Sequence, residues 1–145
     1  MNDTTTRIDR NAHADAGLAA LRVIVGAVFA AHGAQKLFVY GFAGVIGAFD
    51  NMGVPLAGIV GPAVALLEFL GGLALIAGLF TRLAALGLAT NMFGAMVVVH
   101  LAAGFFLPNG VEFALTLLAA SLALTLTGPG GFSVDAVLRR RRADA

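Results

Sequence analysis

Four long apolar runs constrain this chain more than anything else in it: residues 18–38, 56–80, 83–106 and 111–127. A helix needs about 20 mostly apolar residues to cross the hydrocarbon of a bilayer. The last run is short unless the "TGPG" at its end lies among the headgroups, a place that suits Gly and Pro. Of the 145 residues 59% are hydrophobic and 12% charged, whereas soluble domains are roughly one-quarter charged. So short a chain has a large surface for its volume and could not hide that much apolar surface from water. The expected fold is therefore all-α, a four-helix transmembrane bundle.

Between the first two runs lies "GFAGVIGAFDNMGVP". Phe42, Ile46 and Phe49, with Val45 or Met52, fall at helical spacing, and Gly53 with Pro55 should end that helix. It is too short to cross, so an amphipathic helix lying in the interface or over the bundle mouth is expected. Pro62 suits a first helical turn and could mark where the second span starts. Brief connections at Thr81–Arg82 and at "LPNG" imply antiparallel neighbours.

Arg7, Arg10, Arg82 and Arg139 to Arg142 all fall on one side of an even number of spans. Arginine-rich segments stay cytoplasmic. The expectation is a multi-pass protein of the cell inner (plasma) membrane with both termini cytoplasmic. It divides into a polar tail over 1–16, a membrane domain over 17–130 and a basic tail over 131–145. The opening "MNDTTTRIDRNAHADAG" lacks the basic-then-apolar pattern of a signal peptide, so no cleavage is expected. A net charge of +1, with no basic stripe, gives no reason to expect nucleic acid. The absence of cysteine excludes thiol redox chemistry, cysteine-ligated iron–sulfur clusters and disulfides.

Within the apolar runs a few polar residues stand out. Glu68 lies about 18 Å along its helix from Leu56. A carboxyl group at that depth costs several kcal/mol unless it is paired or neutralised, and it is a functional hypothesis by default. Gly61, Ala65, Gly71 and Gly72 share its face and would let another helix approach. His32, Gln35 and Lys36 fall at i, i+3 and i+4 in "AAHGAQKLF". His32 is about 21 Å from Leu18 and His100 about 26 Å from Leu83, which puts both in the half away from the termini. Glu112 opens the fourth run on that side. Topology thus gathers His32, Gln35, Lys36, Glu68, His100 and Glu112 toward one end. Lys36 could neutralise one of the two glutamates, with the choice between them open. Asn91 reads as interhelical hydrogen-bonding glue, and Arg22 as a side chain snorkelling toward the terminal side. The run Arg139 to Arg142 reads as an anchor to anionic lipid.

At these residues the chain resembles the DoxX family of small integral membrane proteins. The likeness rests on "HGAQKLF", "GVP", "LLEFLGGLALIAGLFTRLAALGLATNM", "VH", "GFF", "NGVEFAL" and "GPGGFSVD", in order from Leu21 to Asp135. Its characteristic polar positions correspond to His32, Gln35, Lys36, Glu68, Arg82, His100 and Glu112. One departure is Gly131 and Phe132, where relatives often carry a basic residue before the Ser-x-Asp. The resemblance implies a four-helix membrane protein. It also implies an association with quinone chemistry, since the family takes its name from a subunit of a terminal quinol oxidase complex.

The leading functional expectation is a redox-associated membrane protein that binds a quinone-like ligand or supports a partner oxidoreductase. In that reading Glu68 carries a proton, because a desolvated carboxyl group holds one readily. His32 donates to a ligand carbonyl, and Gln35, Lys36, His100 and Glu112 complete the ligand site. No metal site is assigned. Nothing in the sequence supplies electrons, so a partner subunit or a reduced quinol must. A haem held by His32 and His100 as axial ligands is a second class. A third is a proton-coupled small-molecule transporter, requiring a homo-oligomer because four helices enclose little volume, or a non-catalytic assembly protein.

Overall fold

The first of four prolines is Pro55, and from Asp3 up to there the chain stays almost wholly helical. The computed structural model describes residues 3–144, with side chains from residue 12 onward. Helix α1 spans Asp3–Ala34 and so takes in polar residues ahead of the first apolar run. It widens into π-helical turns over Gln35–Tyr40. Gly41, at φ 65°, breaks the helix there, a conformation that costs glycine little. Helix α2 follows over Gly41–Asn51 and buries Val45. Gly61 lies under it, where a Cβ would come 3.2 Å from Val45.

Helix α3, Ala57–Ala77, starts ahead of Pro62, so that proline lies inside the helix and not in its opening turn. Its ring cannot donate to Gly58, four residues back, and the helix continues without that bond. The connection to α4 is Gly78–Phe80, with Gly78 at φ 69° and Phe80 at φ 47°. Thr81 and Arg82, expected as the loop, form the first turn of α4, Thr81–Ala95. Helix α4 ends in π-helical turns over Met96–His100 and a short 3₁₀ turn over Leu101–Ala103. Helix α5, Glu112–Thr127, and helix α6, Val134–Ala143, complete the chain.

One apolar core joins four helices: Val25 and Phe29 of α1, Leu75 of α3, Ala85, Leu88 and Met92 of α4, and Ala114, Leu117 and Leu124 of α5. Large apolar side chains also point outward. Ile24, Leu56, Ile59, Leu83, Phe93 and Leu126 are each more than half exposed. A soluble monomer rarely shows so much apolar surface, and lipid is the solvent that accommodates it. Residues 12–51, 57–77 and 81–103 are long and apolar enough to cross a membrane. Helix α5 is apolar but, at 16 residues, only about 24 Å long.

Helices α1 and α3 meet backbone to backbone. A Cβ on Gly26 would come 2.7 Å from the Gly72 carbonyl oxygen, and one on Gly33 would come 2.6 Å from Phe69 Cα. Only glycine fits at such a crossing. This fixes the register of α1 on α3, and with it what the next turns of both helices bring together.

At the terminal end, α6 folds back under the bundle. Asp135 accepts from the backbone N–H groups of Phe80 (2.9 Å) and Thr81 (3.0 Å), capping α4 from a distant part of the chain. Its own N–H donates to the Gly78 carbonyl at 2.9 Å. Ser133 caps α6 through Ala136 N at 3.1 Å. Arg22 does reach toward this end but not into water: it is 3% exposed and donates to the Phe132 carbonyl at 2.7 Å. Gly78 makes room for its guanidinium, which an added Cβ would meet.

Candidate functional site

One turn beyond the Gly26–Gly72 crossing, α3 presents Glu68, which is 3% exposed. The Lys36 ammonium, in the π-helical turn of α1, forms an ion pair with Glu68 Oε2. Asn91 of α4 donates through Nδ2 to the other oxygen, Oε1, at 2.9 Å. Glu68 therefore receives a cation from one helix and an amide from another, which is what makes a carboxylate tolerable among apolar helices. The lysine's partner, left open by the sequence, is Glu68. Asn91 does act as an interhelical hydrogen bonder, but its acceptor is the most unusual side chain in the bundle.

Beside this pair lies a cavity of about 270 Å³. It is lined by Phe29, His32 and Lys36 from the first helical segment, Glu68 from α3, Met92, Ala95 and His100 from α4 and its π turn, and residues of α5. The α5 contribution is apolar, Phe113, Ala114 and Leu117, and the ring of Phe113 lies 5.9 Å from that of His32. Two of the polar lining residues, Lys36 and His100, stand on π-helical turns. Such turns are uncommon and re-aim side chains relative to an α-helix.

The histidines are held alike. Nδ1 of His32 is 2.9 Å from the Val28 carbonyl oxygen, and Nδ1 of His100 is 2.8 Å from that of Asn109. A carbonyl can only accept, so in both rings Nδ1 carries the hydrogen. In a neutral ring of this tautomer Nε2 is an acceptor, and it is the nitrogen left for a ligand.

Two other expected residues are elsewhere. Gln35 is exposed and does not line the cavity. Positions 32, 35 and 36 share one side of a helix only loosely: consecutive residues such as Gln35 and Lys36 point in different directions, and Lys36 is the one turned inward. Glu112 accepts from Leu107 N at 2.7 Å and ties down the loop before α5. It too is outside the cavity lining. Phe29, Met92, Ala95, Phe113, Ala114 and Leu117 are the wall residues that sequence reasoning missed; as apolar residues in apolar helices they carry no signal of their own. Among the described residues no group of three or more His, Asp or Glu could hold a metal ion.

The family model for DoxX matches residues 17–101. The chain belongs to the DoxX family. This DoxX protein is 35% identical over 131 residues to the inner membrane protein YqjF of Escherichia coli, covering 88% of this chain and 95% of that one. It is 34% identical over 119 residues to a Bacillus subtilis protein named "Putative oxidoreductase CatD", covering 82% of this chain and 84% of that one. An uncharacterized membrane protein of Mycobacterium tuberculosis is 32% identical over 132 residues, with 83% and 80% covered. No solved structure matches. DoxX membership and the apolar helices together make this a membrane protein.

Proposed function

We propose that this DoxX protein is a redox-associated component of the cell inner (plasma) membrane. In this reading it binds a quinone-like ligand in the cavity beside Glu68 and works with a partner oxidoreductase. All four core helices span the bilayer, α2 lies at the interface, and both termini are cytoplasmic, as the distribution of arginines favours. The relative named as an oxidoreductase and the resemblance to quinol-linked family members support the redox reading.

The observation that carries it is the shared arrangement of His32 and His100 around one cavity of about 270 Å³. That volume is just below the range of roughly 300–1,000 Å³ usual for ligand pockets. One substituted ring fits, and an isoprenoid tail would extend into lipid. Because both Nδ1 atoms are committed to carbonyls, each ring in its neutral form accepts at Nε2, an arrangement that suits the hydroxyls of a quinol. This revises the expectation that histidine N–H groups meet quinone carbonyls. Lys36 is the donor, and its pairing with Glu68 supplies both a proton and a place to put one. Oxidising a quinol to a quinone releases two protons and two electrons; His32 and Glu68 take up protons, and the electrons pass to the partner oxidoreductase.

The test is binding of a short-chain ubiquinol and of its quinone to the purified protein in nanodiscs, followed by calorimetry. The quinol should bind more tightly, and a His32→Ala, His100→Ala double variant should lose most of that affinity. Equal binding by the folded double variant removes the site assignment.

A further inference from the structure

Another cavity is at the opposite end of the bundle, and the proposed quinol chemistry makes no use of it. It measures about 420 Å³ and is lined by Asp15 and Leu18 of α1, Arg82 of α4, Thr127 at the end of α5, Pro129 to Gly131 after it, and Arg139 and Arg140 of α6. We propose that this cleft binds a phosphate group, presented by an anionic phospholipid headgroup or by a soluble phosphate.

Among the described residues three guanidinium groups border the cleft against one carboxylate. The carboxylate is already engaged: Asp15 Oδ1 accepts from Gly131 N at 2.8 Å. None of Arg82, Arg139 and Arg140 forms an ion pair among the described residues. Unpaired arginines gathered on one hollow are an anion site in search of its anion, because the guanidinium fork matches phosphate oxygens two at a time.

The hollow is built by the backbone. Gly128 adopts φ 85°, and a Cβ there would come 2.9 Å from Arg82 Nε, so the glycine leaves the space that the guanidinium occupies. Gly130, at φ 70°, and Gly131 lie against Asp15, which staples the connection to α1. Asp135 fixes the start of α6 on α4, so Arg139 and Arg140 are carried over the cleft one turn later. The site also sits where the apolar parts of α1, α4 and α5 end, the level of headgroup phosphates in a bilayer.

Charge-matched variants test the proposal. Arg139→Gln with Arg140→Gln removes two lining residues; Arg141→Gln with Arg142→Gln removes the same charge from residues outside the lining. Melting is followed in nanodiscs of pure phosphatidylcholine, in nanodiscs of equal parts phosphatidylcholine and phosphatidylglycerol, and in phosphatidylcholine with inorganic phosphate. A ligand that binds only the folded protein raises its melting temperature.

The unsubstituted protein should melt several degrees higher with phosphatidylglycerol or with inorganic phosphate than in phosphatidylcholine alone. A rise with the lipid only identifies a headgroup, and a rise with inorganic phosphate identifies a soluble phosphate. The rise should vanish in the Arg139, Arg140 pair and in Arg82→Gln, and persist in the Arg141, Arg142 pair. No rise with either probe, or an equal loss in both pairs, overturns the proposal; an equal loss would mean general attraction of a basic tail to an anionic surface.

Discussion

Lys36 and Glu68 are ion-paired across the α1–α3 interface, with the carboxylate side chain 4% exposed and the ammonium side chain 21% exposed. The asymmetry matters. Deleting the lysine strands a charge that no other cation among the described residues pairs, whereas deleting the carboxylate leaves a flexible cation that can turn toward the cavity or the headgroups.

Lys36→Met should therefore cost about 3–5 kcal/mol, the usual loss when one member of a buried pair is removed. Glu68→Gln should cost less, about 1–2 kcal/mol, since glutamine still accepts from Asn91 and the remaining lysine is partly solvated. A Lys36→Met, Glu68→Gln double variant should recover much of the lysine deletion. Denaturant or thermal unfolding in one detergent, read as a double-mutant cycle, checks the order; equal losses would contradict it.

The glycines at the α1–α3 crossing should not tolerate a methyl group. Gly33→Ala and Gly72→Ala each place a Cβ against backbone atoms of the facing helix, and overpacking of this kind costs about 1–3 kcal/mol. Gly47→Ala is the contrast, because nothing lies within 4 Å of its Cβ position. It should stabilise α2 by about 0.5–1 kcal/mol. Melting temperatures of the three variants should differ in sign, not only in size.

Asp135→Ala should loosen α6 from the bundle. The variant loses the cap on α4, a change worth about 0.5–2 kcal/mol, while Asp135 N can still donate to Gly78. Limited trypsin digestion reads this directly, since Arg139 to Arg142 lie on α6. Cleavage there should become faster than in the unsubstituted protein, and unchanged cleavage would show that α6 is held by other contacts.

Among the expected ligand residues, Gln35→Ala and Glu112→Ala should leave quinol affinity within about twofold, since neither lines the cavity. Single alanine variants of His32 or His100 should each weaken it about fivefold, the worth of roughly one hydrogen bond of 1 kcal/mol. Glu112→Ala should still lower stability by about 1 kcal/mol through the freed Leu107 N–H.

The legible part of the site was the part that violates its surroundings. Glu68 stands out because a carboxyl group in an apolar helix is costly, and the small residues on its face announced a close neighbour; Gly61, Ala65, Gly71 and Gly72 are all buried. His32 and His100 were placed at one level by counting along helices, and they do line one cavity. Counting failed for Gln35 and Glu112, because similar depth does not mean a common direction. The π-helical turns at Gln35–Tyr40 and Met96–His100 had no sequence mark.

By itself, then, the sequence determined the all-helical class, the membrane as solvent and the end of the bundle where polar groups collect. Those properties follow from composition and from the fixed rise of a helix, which any apolar run obeys. Tertiary structure alone decided that Lys36 meets Glu68, that Asn91 holds the other oxygen, that Asp135 caps α4 and that Arg22 is covered by the C-terminal segment. Each of these joins residues at least 23 positions apart. Such meetings depend on which helix faces which and at what register, and here glycine-sized gaps between α1 and α3 set both.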